Sequence, residues 1–136
     1  MTGKSQPALS PAETEILRLL WRIESGTVQN VCKELPPDRR IAYATVQTLL
    51  RRLEQKGYVT HERKGKAHVF TPTARQDDVI KRTVGDFVDR LFGGDPLPLM
   101  LHLAEKSKLD DKDVNRLRKL IDKYESDEKG GSKWSN

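Results

Sequence analysis

Apolar residues recur along the chain at two spacings, and the changes between them outline its organisation. Ile16, Leu17, Leu20 and Trp21 follow helical spacing behind Ser10-Pro11-Ala12-Glu13. There a hydroxyl N-cap, a proline at the first helical position and a glutamate three residues after the cap form a start signal. This first helix is expected to end near Gly26. Thr27 caps a short second helix with Val28, Val31, Cys32 and Leu35 on one face, and Pro36-Pro37 stops it. A third helix reads from about Tyr43 to Lys56, with Val46, Leu49, Leu50 and Leu53 inward and Gly57 as its C′ residue. The period then shortens. Tyr58 to Arg63 and Ala67 to Thr71 are β-prone runs flanking Lys64-Gly65-Lys66, a hairpin with a basic tip.

Helical spacing returns after Pro72. Thr73 with Gln76 reads as a capping box for a helix whose Ile80, Val84, Phe87 and Leu91 form one stripe, ended by Gly93-Gly94-Asp95-Pro96. A strongly apolar fifth helix follows, from Leu97 or Leu99 to Glu105. A sixth starts at Asp110 or Asp111 with Val114, Leu117, Leu120, Ile121 and Tyr124 inward. The fold expected is mostly α with a small β-hairpin. It comprises a winged helix-turn-helix N-terminal domain, residues 10–72, and a C-terminal three-helix dimerisation domain, residues 73–125. A flexible N-terminus, residues 1–9, and a disordered tail, residues 126–136, flank them; Trp134 receives no role. The dimer follows from size: three amphipathic helices of about 50 residues bury too little alone to be stable, and two copies interleaved bury the apolar faces.

Charge adds a partner. The net charge is +5, and all of it lies in residues 1–72, where 12 Lys and Arg face 7 Asp and Glu. Arg39 to Lys66 carries eight bases against Glu54 and Glu62, an asymmetry suited to a polyanion. No apolar run reaches the roughly 18 residues of a membrane span, and the N-terminus has no apolar secretion segment. A cytoplasmic protein without membrane contact is expected. Cys32, the single cysteine, cannot form an internal disulfide.

The third helix carries the candidate chemistry. Thr45, Thr48 and Arg52 share one face, with Arg51 one step around. Short hydroxyl side chains allow close approach to base edges, and flanking cations suit guanine and phosphate. Thr45, Thr48 and Arg52 are therefore the candidate base readers, and Tyr43, Arg51, Arg63, Lys64 and Lys66 the candidate backbone contacts. Tyr43 can equally pack on the second helix. Ile80, Val84, Phe87, Leu91, Leu117 and Ile121 are the candidate dimer interface. Turning the hairpin about Gly65 sets His61 opposite Val69 and His68 opposite Glu62, on opposite faces, so no metal clamp is read there. Cys32 reads as a small core residue. No cofactor, metal or catalytic constellation is expected. A winged-helix scaffold for protein contacts is the rival, and it would present an apolar or acidic face where this helix presents threonines and arginines.

These residues resemble the BlaI/MecI/CopY family of bacterial transcriptional repressors, which control penicillinase, methicillin-resistance and copper-transport genes. The resemblance runs from Leu9 to Tyr124. It rests on Ser10-x-Ala12-Glu13 with Trp21, on Ala44-Thr45-Val46-Gln47-Thr48-Leu49-Leu50-Arg51-Arg52-Leu53 with Lys56-Gly57, and on Phe92-Gly93-Gly94-Asp95 before a Leu-rich helix. It implies a winged helix joined to a helical dimerisation domain, a homodimer on a pseudo-palindromic operator in double-stranded DNA, and base contacts at Thr45, Thr48 and Arg52. Ala44 and Gln47 stand where the β-lactam repressors carry lysine and arginine, and the cysteine pairs of the copper branch are absent. In the β-lactam branch a sensor protease cuts an Asn-Phe bond in the fifth helix. The matching pair here is His102-Leu103, the candidate cleavage site that the resemblance implies; apart from it, weakening of the dimer at this helix, by a protease or by a small effector, is the expected route of release from DNA.

Overall fold

The computed structural model describes residues 7–129. The element order is α1 (Pro11–Ile23), α2 (Val28–Glu34), α3 (Tyr43–Gln55), β1 (Val59–Lys64), β2 (Ala67–Pro72), α4 (Gln76–Phe92), α5 (Leu97–Lys106) and α6 (Asp111–Lys129). Compactness divides the chain into two units, one up to Val84 and one from Gly85 onward, so that α4 belongs partly to each.

In the first unit, α1 starts as its sequence dictates. The Ser10 hydroxyl accepts from the Glu13 N–H at 3.1 Å, and the Glu13 carboxylate accepts from the Ser10 N–H at 2.9 Å. The helix ends where Glu24 takes a positive φ of 74°. Gly26 then approaches the hairpin, exchanging N–H···O bonds of 2.9 and 2.8 Å with Phe70. A side chain there would lie 2.9 Å from Ile23 Cδ1 and 3.0 Å from Asn30 Cβ, so only glycine fits without displacement. Thr27 caps α2 in a reciprocal pair with Asn30. Gly57, at φ 89°, reverses the chain after α3, and the Tyr58 N–H bonds back to the Leu53 carbonyl.

The core of this unit is made of one stripe from each helix, closed by the sheet. Ile16, Leu17 and Leu20 of α1, Val31 of α2, and Val46, Leu50 and Leu53 of α3 are fully buried. Tyr58, Val59 and Phe70 cover them from the hairpin and Val79 from α4. Each buried leucine contributes about 1.5 to 3 kcal/mol relative to exposure. Trp21, partly buried at the edge, donates its indole N–H to the Ala74 carbonyl at 2.9 Å.

An ion pair fastens the N-terminal end of this core. Glu13, 2% exposed, receives Lys56 Nζ at 2.6 Å. Burial alone would raise its pKa, but the Lys56 hydrogen bond, the Ser10 N–H and the lysine charge outweigh it and hold the carboxyl below its ordinary value. Lys56 also donates to the Ala8 carbonyl at 2.8 Å, and the Tyr58 hydroxyl donates to the Pro7 carbonyl at 2.6 Å. Pro7 to Leu9, expected within a flexible N-terminus, are thus tied down; Leu9 packs on the core.

Three other expectations change. The hairpin turns through two residues, Gly65-Lys66, with Gly65 at φ 63°, the arrangement that suits right-handed strand twist. The register is therefore His61 opposite Phe70, Glu62 opposite Val69 and Arg63 opposite His68. This is one residue away from the register expected, so His61 and His68 share a face instead of opposing each other. Thr73 does not cap α4: its hydroxyl donates to the Gly57 carbonyl at 2.7 Å, and the helix begins at Gln76. Finally, α6 continues to Lys129, past Ser126 where disorder was expected, because no glycine or proline interrupts residues 111–129. The expected tail beyond Lys129, with Trp134, lies outside the described residues.

The second unit holds the end of α4 with α5 and α6. Val88 is its one large apolar side chain buried among the described residues. Phe87 stacks edge-on against Phe92 at 6.0 Å, yet Phe87, Leu91, Leu101, Leu117 and Ile121 are all exposed. No residue of α5 is buried, His102 and Leu103 included.

Candidate nucleic-acid interface

The buried stripe of α3 leaves two exposed flanks. Tyr43, Gln47, Arg51 and Glu54 recur at i, i+4, i+8 and i+11 and face the hairpin across an open groove of about 550 Å³. Thr27 and Gln29 of the α2 end and His61, Lys66, His68 and Phe70 of the hairpin form its other walls. Thr45, Thr48 and Arg52 lie on the opposite flank, exposed and outside that groove. The Thr48 hydroxyl donates to the Ala44 carbonyl at 3.0 Å. Its hydrogen is thereby used, which leaves an acceptor oxygen and a methyl group facing outward.

The eight bases counted in the sequence divide into two groups. Arg39 forks onto Glu15 with N···O distances of 3.0 to 3.2 Å; the hydrogen bond and charge of Glu15 raise its pKa. Lys56 is taken by Glu13. Both hold the fold. Arg40, Arg51, Arg52, Arg63, Lys64 and Lys66 are exposed and have no carboxylate partner among the described residues. Arg63 Nε donates to the Gly65 carbonyl at 3.3 Å, bracing the turn that carries Lys64 and Lys66.

Of the residues singled out from the sequence, Tyr43, Arg51 and Lys66 meet in the groove. Tyr43 is 56% exposed, available to a ligand. Gln47, Glu54, His61 and His68 join them there without having been foreseen. His61 Nδ1 lies 2.7 and 2.9 Å from the two Glu54 oxygens, and its ring stacks on His68 at 4.7 Å with an interplanar angle of 24°. Only the correct register brings these two rings together. Among the described residues no group of three or more His, Cys, Asp or Glu is placed to hold a metal ion. Cys32 is half-buried, its thiol pushed up by burial, and no described helix is long and apolar enough to cross a membrane.

Three helices closed by a hairpin, with an unpaired cationic surface on the third helix and the turn, define a winged helix-turn-helix DNA-binding protein. The chain belongs to the penicillinase repressor family, which it matches over residues 9–123. It is 29% identical to the penicillinase repressor of Bacillus licheniformis over 126 residues, 93% of this chain and 98% of that one. It is 32% identical to the transcriptional regulator BlaI of Mycobacterium tuberculosis over 113 residues, 79% of this chain and 80% of that one. Among solved structures, the solution structure of the DNA-binding domain of the repressor BlaI matches 54% of this chain and 90% of its own, at 34% identity and a TM-score of 0.48.

Proposed function

We propose that this DNA-binding repressor works as a cytoplasmic homodimer on a pseudo-palindromic operator. Residues 10–72 lay α3 in the major groove, and residues 73–125 pair two subunits. The observation that carries this reading is the outer flank of α3, where Thr45, Thr48 and Arg52 stand exposed, while the unpaired cations Arg51 and Lys66 line the groove on the helix's other flank and Lys64 adjoins the turn. Threonine acceptors and methyls match amino groups and thymine methyls, and an arginine fork matches guanine. Tyr43, Arg51, Arg63, Lys64 and Lys66 hold the phosphate backbone. A scaffold for protein contacts would offer an apolar or acidic surface there; this one is cationic and hydroxylated.

Dimerisation accounts for the exposed apolar stripes of α4 and α6. Ile80, Val84, Phe87 and Leu91 are 43 to 64% exposed along α4, and Leu117 and Ile121 are 43 and 57% exposed along α6. A second copy is the partner whose contact would remove these stripes from water. Release from DNA then runs through α5, by a sensor protease at His102-Leu103 or by a small effector that weakens the pairing. The family's repressors are not enzymes, and this chain acts by occupancy of DNA. Selection of tight binders from a pool of random duplexes tests the reading. It is expected to return an inverted repeat with half-sites spaced by whole helical turns, about 10 bp or a multiple. Enrichment of unrepeated single sites would refute the dimer on its operator.

A further inference from the structure

We propose that His61 is a positioning residue for DNA binding: it ties the hairpin to α3 through Glu54 and, by taking up a proton, cancels the negative charge of that carboxylate in the groove that faces phosphate. The inference rests on the DNA-binding reading of this face and adds a group to it. The geometry carries it. Glu54 follows Arg51 by one helical turn on the flank of α3 that faces the hairpin, so an acid stands beside the cations meant for the backbone. His61 of β1 covers that acid with contacts of 2.7 and 2.9 Å. Behind it, His68 of β2 stacks at 4.7 Å and the buried Phe70 ring lies at 5.4 Å, which fixes the imidazole plane.

A carboxylate offers only acceptors, so Nδ1 must carry the hydrogen in this contact. Neutral His61 then leaves Nε2 as an acceptor, which a phosphate oxygen repels, and Glu54 keeps its charge. The protonated ring makes Nε2 a donor and brings the pair from −1 to zero. The other titratable or charged groups around the groove are Tyr43 and Arg51 from α3, Lys66 from the turn and His68 from β2, with Arg63 opposite His68 across the strands; α2 contributes the neutral Thr27 and Gln29. Histidine changes charge between about pH 5 and 8. A phosphate in the groove favours the charged form of the pair, so DNA binding and proton uptake support each other and affinity falls as the pH rises.

The test measures affinity of the full chain for a labelled duplex of about 30 bp, at fixed salt, near pH 6 and near pH 8. The effect acts on the backbone, so the duplex need not carry the operator. Wild type is expected to bind about tenfold more tightly at the lower pH. His61→Gln should lose most of that difference, and Glu54→Gln, which removes the acid and keeps the imidazole, should bind near pH 8 at least as tightly as wild type. Thermal melting of each variant confirms that it is folded. A His61→Gln variant with the wild-type pH profile, or a Glu54→Gln variant weakened near pH 8, would overturn the proposal while leaving DNA binding standing. Failure of the wild type to bind the duplex at all would overturn the DNA-binding reading itself.

Discussion

Raising the salt from about 50 to about 200 mM should weaken operator binding by about 10³- to 10⁴-fold. Each phosphate neutralised by a lysine or arginine releases condensed counterions, and the loss grows as a power of salt concentration. Arg39 and Lys56 drop out of the count because Glu15 and Glu13 hold them. Arg51, Arg63, Lys64 and Lys66 remain as the proposed backbone contacts, so roughly three or four phosphates per subunit would give a dimer a log-log slope of about −5 to −7. A fluorescence titration at four or so salt concentrations measures it. A slope near −2 or shallower would mean that the hairpin does not touch the backbone.

A chain ending at His102 should bind the full operator about 10²- to 10⁴-fold more weakly than the intact protein. The cut leaves the core of the first unit whole, since Ile16, Leu17, Leu20, Leu50 and Leu53 all precede it. It removes α6 and with it Leu117 and Ile121, two of the six residues of the proposed pairing surface. Without linkage the second half-site contact becomes a separate binding event, and its effective concentration is lost. The fragment should bind one half-site weakly and the full site hardly better, as gel mobility shift would show. Affinity equal to that of the intact chain would place the pairing surface, and the switch, within residues 1–102.

How much of this was legible in the sequence depended on the range of the interaction. Local signals were reliable: the Ser10 to Glu13 capping box, the Thr27 cap, the helical stripes and the Gly57 reversal all act within a few residues. Contacts between distant segments were not. Nothing near Gly26 in the chain says that it will pair with Phe70, nothing near Lys56 says that Glu13 awaits it, and Thr73 spends its hydroxyl on Gly57 instead of on its own helix. The hairpin shows how small an error suffices. Centring the turn on Gly65 instead of on Gly65-Lys66 moves the register by one and separates His61 from His68, which hides the Glu54-His61-His68 cluster. Arginines and threonines at helical spacing were visible at once, whereas which flank of α3 faces the hairpin required the fold.

The most direct test of the central claim is the base preference of the Arg52→Ala variant. Using the duplex recovered from random-pool selection, its affinity and that of single-base variants are compared between wild type, Arg52→Ala and Lys64→Ala at one salt concentration. Arg52→Ala is expected to lose about 1 to 3 kcal/mol per half-site and to become indifferent at one base step. Lys64→Ala should weaken every duplex by nearly the same factor, leaving the preference intact. If Arg52→Ala retained the wild-type preference at every position, α3 would not be reading bases through this flank, and the assignment of the interface would be wrong.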